Sequence, residues 1–380
     1  MITIFLIITL LLILCDSYII CGVLGASPLW AKCLTTLPSV GYIAVILYML
    51  IAKDFGQKTL NLLFWLTLCI VIPTMLFTIV SLLGKGIGFV FTPAYKMGNY
   101  VATLLSVIWI FLSLSGILFG WKKIEVEHVA VTSSRIPKSF NGYKIVQLSD
   151  FHIGTYATAP ECVDRIVDRV NSLNPDLIVF TGDLVNLSSD EIKGFAEILS
   201  RLHAKDGVYS VLGNHDYCLY RQYYGDDTPA KQLAEVINYE KRIGWKMLRN
   251  QSEQIVRGND SIALIGVDNA GSGAFPDKSD LKGAMKGLSQ SEYKILLSHD
   301  PSHWRREVLP KSDIDIMLAG HTHAMQFKIF GWSPSKWVYP EWGGLYTEGG
   351  RQLYVSTGIG ENVAFRFGAW PQIVEITLHN

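Results

Sequence analysis

The stretch Lys144-Ile-Val-Gln-Leu-Ser-Asp-Phe-His152 decides the fold of this chain. Its first five residues form a short β-rich run, and the residues that follow include Asp150 and His152, two residue types that bind metal ions. A short apolar run bounded in this way is typical of a buried strand. The stretch therefore predicts a strand that carries candidate metal ligands at its carboxyl end.

The same arrangement recurs four more times along the chain. The later runs cover residues 177–181, 208–212, 294–297 and 314–319. The clusters that follow them are Gly182-Asp183, Gly213-Asn214-His215-Asp216, Ser298-His299-Asp300 and Gly320-His321-Thr322-His323. We expect the glycine that begins three of these clusters to allow a tight turn off its strand, because glycine has no Cβ atom.

A helix is predicted between the first two runs. Apolar residues recur there at helical spacing, namely Val163, Ile166, Val167, Val170 and Leu173. Pro175 then ends the helix before the next strand. Strand, helix and strand in this order imply a parallel pair with a right-handed crossover, and ligands of such sheets gather beyond the carboxyl ends of the strands. The candidate ligands all follow strands at that edge.

The remaining pattern is richer in strands. Residues 124–131 alternate as a half-buried strand does, and residues 261–267 and 372–378 read as two more strands. A turn at Glu348-Gly349-Gly350 before residues 351–356 is consistent with a hairpin. The distribution predicts an α/β fold, a mixed β-sandwich flanked by helices.

Charge is distributed very unevenly along the chain, which has 33 basic and 33 acidic residues. The charged residues up to Trp121 are Asp16, Lys32, Lys53, Asp54, Lys58, Lys85 and Lys96. A spanning helix needs about 20 apolar residues. Four segments reach or approach that length, namely residues 2–24, 37–52, 60–83 and 100–121. We therefore divide the chain into an all-α transmembrane region of about four helices, residues 1–121, and a second domain, residues 122–380.

Two features of the membrane region allow alternatives. The first segment could be a cleaved signal peptide, but it lacks a basic n-region and is followed by further spans. Asp16 is the one acidic residue within a span. Such a residue is either functional or faces neighbouring helices through hydrogen bonds, and we favour the second interpretation.

Lysines near the span ends indicate an orientation. With four spans, the side that carries the second domain has Lys53, Lys58, Lys122 and Lys123, and the opposite side has Lys32, Lys85 and Lys96. Positive charge favours the cytoplasmic side of a membrane. We therefore expect the second domain to be cytoplasmic.

Composition also excludes some classes of protein. Neither part of the chain is basic enough to suggest a nucleic-acid partner. Only Cys162 and Cys218 lie in the second domain, far apart and without a CxxC motif. This usage is not typical of a disulfide framework or of a zinc knuckle.

The residue types in the clusters suit divalent metal chemistry. Carboxylate, amide and imidazole groups are the ligands that hard divalent ions prefer. Two ions about 3.5–4 Å apart can hold the attacking and leaving oxygens of a phosphoryl displacement, and they lower the pKa of a shared water so that hydroxide is available near neutrality. A carboxylate between the two ions would keep them at that distance. The clusters therefore indicate a site for divalent metal ions, and such a site can carry out phosphoryl displacement.

The five clusters in this order resemble the calcineurin-like metallophosphoesterase superfamily over residues 124–378. The resemblance implies that Asp150, His152 and His323 hold one metal ion. It implies that Asn214, His299 and His321 hold a second ion and that Asp183 bridges the two. His215 matches the catalytic histidine of the family, a general acid that protonates the leaving oxygen, and Asp216 would orient its ring. The implied cofactors are two divalent ions of Mn, Fe or Zn.

The phrase Leu297-Ser-His-Asp-Pro301 and the glycines Gly358 and Gly360 resemble the bacterial membrane-associated branch of the superfamily. Members of that branch include UDP-2,3-diacylglucosamine hydrolases. The branch commonly has two glycines after Gly-His-Thr-His, whereas Ala324 and Met325 follow here. The change leaves the candidate ligands intact and alters the rim of the pocket.

Two further features are open at the level of sequence. Arg366 is either a phosphate-contacting residue or one half of a surface ion pair. Residues 327–342 carry several aromatic side chains, namely Phe330, Trp332, Trp337 and Tyr339. They form either an amphipathic lip toward lipid, where Trp and Tyr prefer the interface, or a packed loop over the sheet.

The sequence as a whole predicts an integral protein of a bacterial inner or plasma membrane whose catalytic domain is a two-metal hydrolase. Its expected partners are the lipid bilayer and a phosphorylated small-molecule or lipid substrate that resembles a UDP-diacylglucosamine. The alternatives are a non-catalytic membrane sensor or scaffold, and a transport unit that the second domain regulates. The scarcity of charges within the spans disfavours transport, and the sequence gives no oligomeric state.

Overall fold

The structure is a computed structural model that describes residues 2–52 and 56–380. Lys53 and Asp54, two of the charges noted in the membrane region, lie outside the described residues. The chain forms two compact units, Met1–Phe119 and Gly120–Asn380. Each unit has a hydrophobic core of its own.

The first unit is helical. Its helices are α1 (Ile2–Tyr18), α2 (Leu29–Ala52), α3 (Gln57–Leu66), α4 (Ile72–Gly88) and α5 (Pro93–Leu118). A π-helical segment extends α1, and another joins α3 to α4. Four helices are long and apolar enough to cross a membrane, namely Phe5–Val23, Leu29–Ala52, Gln57–Gly88 and Pro93–Lys122.

The second candidate span begins earlier than the sequence predicts. It starts at Leu29 rather than near residue 37, and Pro38 lies inside the helix. Spanning helices tolerate an internal proline where neighbouring groups satisfy the freed backbone. The proline therefore lies within a helix that begins before the most apolar stretch of the sequence.

Polar groups of the first unit face its interior. The Asp16 carboxyl group is buried and forms a hydrogen bond with the Ser39 side chain, which lies on α2. The Tyr18 hydroxyl group is 2.8 Å from the Ser81 hydroxyl group, which donates to Asn99. These contacts agree with the interpretation of Asp16 as a residue that faces neighbouring helices.

The structure describes every residue of the second unit, which contains twelve strands and five α-helices. The strands are β1 (Glu125–Thr132), β2 (Lys144–Leu148), β3 (Leu177–Phe180), β4 (Val208–Ser210), β5 (Lys246–Met247), β6 (Gln251–Arg257), β7 (Asp260–Gly266), β8 (Tyr293–Leu297), β9 (Ile316–Ala319), β10 (Gly344–Glu348), β11 (Arg351–Val355) and β12 (Gln372–His379). The helices are α6 (Pro160–Ser172), α7 (Ala196–Leu199), α8 (Pro229–Arg242), α9 (Leu281–Ala284) and α10 (Leu309–Lys311).

The strands form two mixed sheets of six. The first has the order β1-β12-β2-β3-β4-β5 and the second the order β10-β11-β9-β8-β7-β6. Strands β2, β3 and β4 run parallel to one another, as do β7, β8, β9 and β11. The predicted hairpin is present, since β10 and β11 pair in antiparallel orientation around Gly349 and Gly350.

The two sheets pack face to face, and helices cover their outer faces. Successive residues of β3 show the layers: Leu177 and Val179 belong to the core between the sheets, whereas Ile178 and Phe180 belong to the core under the helices. The apolar face of α6 packs into that outer core. This architecture is the predicted α/β sandwich, and its central strands β3, β8 and β9 are almost entirely apolar because both of their faces are buried.

Candidate functional site

The carboxyl ends of the central strands bring the candidate ligands together. Asp150 follows β2, Asp183 follows β3, and His321 follows β9. Because β2 runs parallel to β3, and β8 runs parallel to β9, the carboxyl ends of each pair lie at the same edge of their sheet. Loops from the two sheets meet there, since the backbone N–H group of His321 donates to both Asp150 carboxylate oxygens at 3.0 and 3.1 Å.

Asp150, His152 and His323 form a first group of possible metal ligands. One ligand atom from each lies within 4.8 Å of the others, and all three side chains are buried. The Nε2 atoms of His152 and His323 are 3.0 Å apart, and His323 Nε2 is 3.3 Å from an Asp150 oxygen. Two ring nitrogens that face each other at this distance suit a shared cation.

Asp183, His299 and His321 form a second group. His299 Nε2 is 3.1 Å from an Asp183 oxygen and 3.2 Å from His321 Nδ1. The same Asp183 oxygen is 3.7 Å from His152 Nε2, which belongs to the first group. Asp183 therefore lies between the two groups, where a bridging carboxylate would be.

Asn214 presents its side-chain carbonyl oxygen without a hydrogen-bond partner in the described part of the chain. Its amide nitrogen donates to the Tyr220 hydroxyl group at 2.9 Å, at the other end of the side chain. A buried carbonyl oxygen without a partner is destabilising unless a ligand completes it. Asn214 therefore fits a metal ligand.

His215 lies beside both groups and is partly exposed. Its backbone N–H group donates to Asp183, and its ring Nδ1 atom is 2.7 Å from the carbonyl oxygen of Asn186. The ring contacts Tyr220 and His152, with centroid distances of 4.5 and 4.7 Å. Because a carbonyl oxygen accepts, Nδ1 carries a proton, and Nε2 is the nitrogen that can exchange one with a substrate.

Asp216 makes contacts that differ from the expected one. Its carboxylate accepts hydrogen bonds from the backbone N–H groups of Gly213, Asp183 and Leu184, each at 2.8 Å. Asn186, rather than Asp216, supplies the oxygen that contacts the His215 ring. The expectation that Asp216 orients the imidazole is corrected accordingly: its carboxylate joins two site loops through their backbones.

Burial and charge set the protonation of the site. Burial lowers the pKa of His152 and of His323 well below the usual value, so both rings are neutral and have a free lone pair. Burial also lowers the pKa of His299, but the carboxylates of Asp183 and Asp150 outweigh it and raise this pKa to about 10. Burial opposes ionisation of Asp183, yet the charge on His299 holds its pKa well below the usual range. A divalent cation would take the place of that proton.

Contacts behind the ligands fix the orientation of two rings. His299 Nδ1 is 2.8 Å from the carbonyl oxygen of Thr181, which leaves Nε2 to face Asp183. His321 Nε2 is 2.8 Å from the Tyr339 hydroxyl group, which leaves Nδ1 to face His299. Such outer contacts set the tautomer of a ligating histidine and so the atom that binds the metal.

Arg366 is fully buried beside the first group. Its guanidinium group donates to the carbonyl oxygens of Ala369 at 2.7 Å, Thr357 at 2.9 Å and Gly360, and one of its nitrogens is 3.3 Å from His323 Nδ1. The sequence alternative of a surface ion pair is therefore wrong. The residue holds the segment after β11 against the site.

Glycine is required where the loops approach most closely. A Cβ atom on Gly320 would lie 2.2 Å from an Asp150 oxygen, and one on Gly213 would lie 2.2 Å from an Asp183 oxygen. Both distances are far below any real contact of a Cβ atom. These two glycines are therefore required because the loops approach each other closely, more than for the tight turn that the sequence predicted.

Site contacts of three residues escaped the sequence interpretation, although Tyr339 was noted there as one of the aromatic residues of 327–342. Tyr220 contacts Asn214 and His215, Tyr339 contacts His321, and the Asn186 carbonyl oxygen contacts His215. Each stands outside the five clusters, and a single tyrosine or a backbone carbonyl carries no signal in one sequence. Only the folded loops show these contacts.

The similarity of this chain to known proteins extends over the residues that form the site. Residues 143–325 match the family model described as calcineurin-like phosphoesterase. A metallophosphoesterase of Bacillus subtilis, YkuE, is 30% identical over 266 residues, which cover 67% of this chain and 85% of that protein.

Two further relatives carry more specific names. A transmembrane protein with a metallophosphoesterase domain from Danio rerio is 30% identical over 240 residues, which cover 61% of this chain and 52% of that protein. The match therefore spans about half the length of the zebrafish relative. The UDP-2,3-diacylglucosamine pyrophosphatase LpxG of Chlamydia trachomatis is 26% identical over 289 residues, which cover 63% of this chain and 85% of that protein.

Proposed function

This chain belongs to the calcineurin-like metallophosphoesterase family, and on that premise we propose that it is a membrane-anchored hydrolase of phosphoester or pyrophosphate bonds that works with two divalent metal ions. The family is metal-dependent, and its α/β fold is the fold of the second unit. The observation that carries the proposal is the position of Asp183 between the two groups of possible metal ligands.

The donor set fits two divalent ions. The neutral buried imidazoles of His152 and His323, the ionised carboxylate of Asp183 and the free carbonyl oxygen of Asn214 are groups that Mn, Fe and Zn accept. The first ion would be held by Asp150, His152, His323 and Asp183. The second ion would be held by Asp183, Asn214, His299 and His321. Bound there, such ions would polarise phosphoryl oxygens and supply a hydroxide nucleophile near neutral pH.

The residues of the chain then divide the remaining work. His215 donates a proton from Nε2 to the leaving oxygen, since Asn186 holds its Nδ1 atom. Tyr220 packs against that ring at an interplanar angle of 43° and accepts a hydrogen bond from the Asn214 amide nitrogen, so that it holds both side chains beside the metal-ligand groups. Asp216 keeps the loops of Asp183 and Gly213 together.

The proposed substrate is a phosphorylated lipid, of which a nucleotide-linked diacylglucosamine is one example. The Chlamydia relative is named for such a pyrophosphatase activity, and the four apolar helices favour a substrate within a membrane. We propose that the protein is integral to a bacterial inner or plasma membrane, with the second unit on the cytoplasmic side. No nucleic-acid partner is proposed.

Purified full-length protein tests the proposal directly. With Mn, Zn or Fe added, we expect hydrolysis of bis-p-nitrophenyl phosphate and of a nucleotide-linked lipid. His215→Ala should lower kcat by about 100-fold or more, because it removes the general acid. Its metal content, measured by elemental analysis, should stay near that of the wild type, since Asp183 and Asn214 remain. Absence of metal-dependent turnover in the wild type would overturn the proposal and favour a sensor or scaffold.

A further inference from the structure

Residues 327–340, called the lip below, expose an unusual concentration of apolar side chains. Phe330 is fully exposed, with a relative exposure of 101%, and Trp337 is 78% exposed. The large hydrophobic residues of the lip that face solvent are Ile329, Phe330, Trp332, Trp337 and Val338. They lie within ten residues of the chain, so they form one surface rather than scattered exposures.

The polar side of the same segment faces the metal-ligand loops. Ser333 and Ser335 are fully buried, and the Ser333 hydroxyl group donates to the carbonyl oxygen of Ala324 at 2.6 Å. Tyr339 contacts the candidate ligand His321 at 2.8 Å. The lip is thus amphipathic. Its serines pack inward beside the site, and its aromatic rings point outward.

The conformation of the lip is fixed by its own contacts. Ile329 and Trp332 exchange two backbone hydrogen bonds of 2.9 Å across a tight turn. Phe330 and Gly331 occupy the turn with φ values of 47° and 76°. The rings of Trp332 and Trp337 lie edge to face, 5.2 Å between centroids. The apolar tip is therefore presented in one shape, so little conformational entropy is lost when it contacts a partner.

The charge of the lip narrows the choice of partner. Lys328 and Lys336 are exposed, and the segment contains no acidic residue. Trp and Tyr concentrate at the interface of a bilayer, and a lysine near an anionic leaflet contributes about 1 kcal/mol of attraction. Exposed aromatic rings between two lysines fit such a surface better than they fit water.

We propose that the lip is an interfacial docking surface that inserts its aromatic side chains into the headgroup layer of an anionic lipid bilayer. The inference rests on the proposed function for its role in catalysis, which is to bring a lipid-linked phosphoryl group to the adjacent metal site. Tyr339 connects the two, because it belongs to the lip and contacts His321.

The test uses full-length protein in nanodiscs of phosphatidylcholine mixed with phosphatidylglycerol, with plain or brominated acyl chains. The fluorescence difference between wild type and Trp337→Phe isolates the signal of Trp337. We expect brominated lipid to quench more than half of that signal. The matched control is Trp245→Phe, which removes a tryptophan that is buried under α8, and the Trp245 signal should not be quenched. An unquenched Trp337 signal would overturn the proposal and favour a protein partner for the lip.

A second experiment tests the attraction between the two lysines of the lip and anionic lipid. Changing Lys328 and Lys336 together to glutamate should reduce the quenching of Trp337 in nanodiscs that contain phosphatidylglycerol. The same charge change at the exposed residues Lys282 and Lys286 serves as the control and should leave the quenching unchanged. Equal effects of the two double variants would contradict attraction between the lip and anionic lipid.

The quenching measurement does not depend on enzymatic turnover. The docking surface and the proposed hydrolase can therefore be refuted independently of each other. A quenched Trp337 in a protein that does not hydrolyse bis-p-nitrophenyl phosphate would refute the proposed hydrolase and keep the docking surface. An active hydrolase with an unquenched Trp337 would refute the docking surface alone.

Discussion

Five of the candidate ligands adopt backbone conformations that are rare for their residue types. Positive φ values between 44° and 75° occur at Asp150, His152, Asp183, His321 and His323. Such conformations destabilise the folded chain by about 1–3 kcal/mol each and persist where surrounding structure imposes them. At this site they turn side chains from separate strands toward common points. The strain is thus connected with the binding geometry.

The left-handed backbone also explains a departure from the family pattern. Ala324 and Met325, at the two positions where the resemblance implies glycines, have φ values of 51° and 46°. Glycine adopts this conformation without strain, whereas a residue with a Cβ atom does not. The family pattern therefore reflects backbone geometry at the rim of the pocket, beside His323.

A pair of variants at Met325 tests this explanation. Met325→Gly and Met325→Ala both remove the side chain, but only glycine relieves the left-handed strain. We expect Met325→Gly to be more stable than Met325→Ala by about 1 kcal/mol, which corresponds to an apparent Tm about 2–4 °C higher. Thermal unfolding of the two purified proteins in the same detergent gives the comparison. An equal or lower Tm for the glycine variant would contradict the strain at this position.

Individual residues also mark where sequence interpretation ends. The ligand types were predictable because Asp, Asn and His follow short apolar runs in a fixed order. The contacts that orient them were not, since the Asn186 carbonyl oxygen and the Tyr339 hydroxyl group approach the site only after the loops fold. Arg366 shows the same limit, because its burial depends on the segment after β11.

At the level of elements, the strands that lead into the site were predictable and several others were not. β2 begins and ends where the sequence indicates, and β3, β4, β8 and β9 lie within two residues of the expected runs. β5 has two residues, and β6 is mostly exposed at the edge of its sheet. Edge strands lack the continuous apolar pattern of buried ones, so they give a weak signal in the sequence.

The conformation of the loop after β4 depends on backbone hydrogen bonds to Asp216. One variant distinguishes this structural role from the orientation of the His215 ring. Asp216→Asn keeps the shape but brings an amide N–H group against backbone donors of Gly213, Asp183 or Leu184. We expect stability to fall by about 1–3 kcal/mol, because buried donors lose their acceptor. The measurement is the apparent Tm together with kcat. A variant with reduced kcat and the Tm of the wild type would instead support the ring-orienting role that the sequence suggested.

A buried carboxyl group on helix α8, which contacts strand β4, makes the free energy of unfolding depend on pH. Burial raises the pKa of Glu240 well above its usual value, and the Ser210 hydroxyl group is its hydrogen-bond partner. A raised folded-state pKa contributes stability that is present below pH 4.5 and is lost as pH rises through the folded value. Glutamine cannot ionise at this position. The wild type should therefore lose stability relative to Glu240→Gln as pH rises.

Thermal unfolding at two pH values checks this expectation. At pH 8, Glu240→Gln should be more stable than the wild type, because the wild type loses up to about 1.4 kcal/mol for each pH unit between 4.5 and the folded-state pKa. At pH 4.5 the difference should be much smaller, because the wild-type carboxyl group is protonated in the folded state. Glu235→Gln on the same helix is the control, since Glu235 is only partly buried. A difference that does not depend on pH would refute ionisation of Glu240 as the cause.

At the scale of the whole molecule, one prediction concerns the side of the membrane on which the second unit lies. The lysines near the span ends favour the cytoplasmic side by a small margin. We expect green fluorescent protein fused after Asn380 to fluoresce and alkaline phosphatase fused there to be inactive. Alkaline phosphatase fused after Ser27, between the first two candidate spans, should be active. The reverse pattern would place the second unit outside the cytoplasm.

The place of β12 in the first sheet has a consequence for synthesis on the ribosome. β12 lies between β1 and β2, so the first strand of the second unit to be translated has no neighbour in its sheet until residues 372–379 emerge. Until then β1 presents an unpaired edge, which is prone to association with other chains. A nascent chain stalled before β12 would therefore carry every candidate metal ligand and still be a substrate for chaperones.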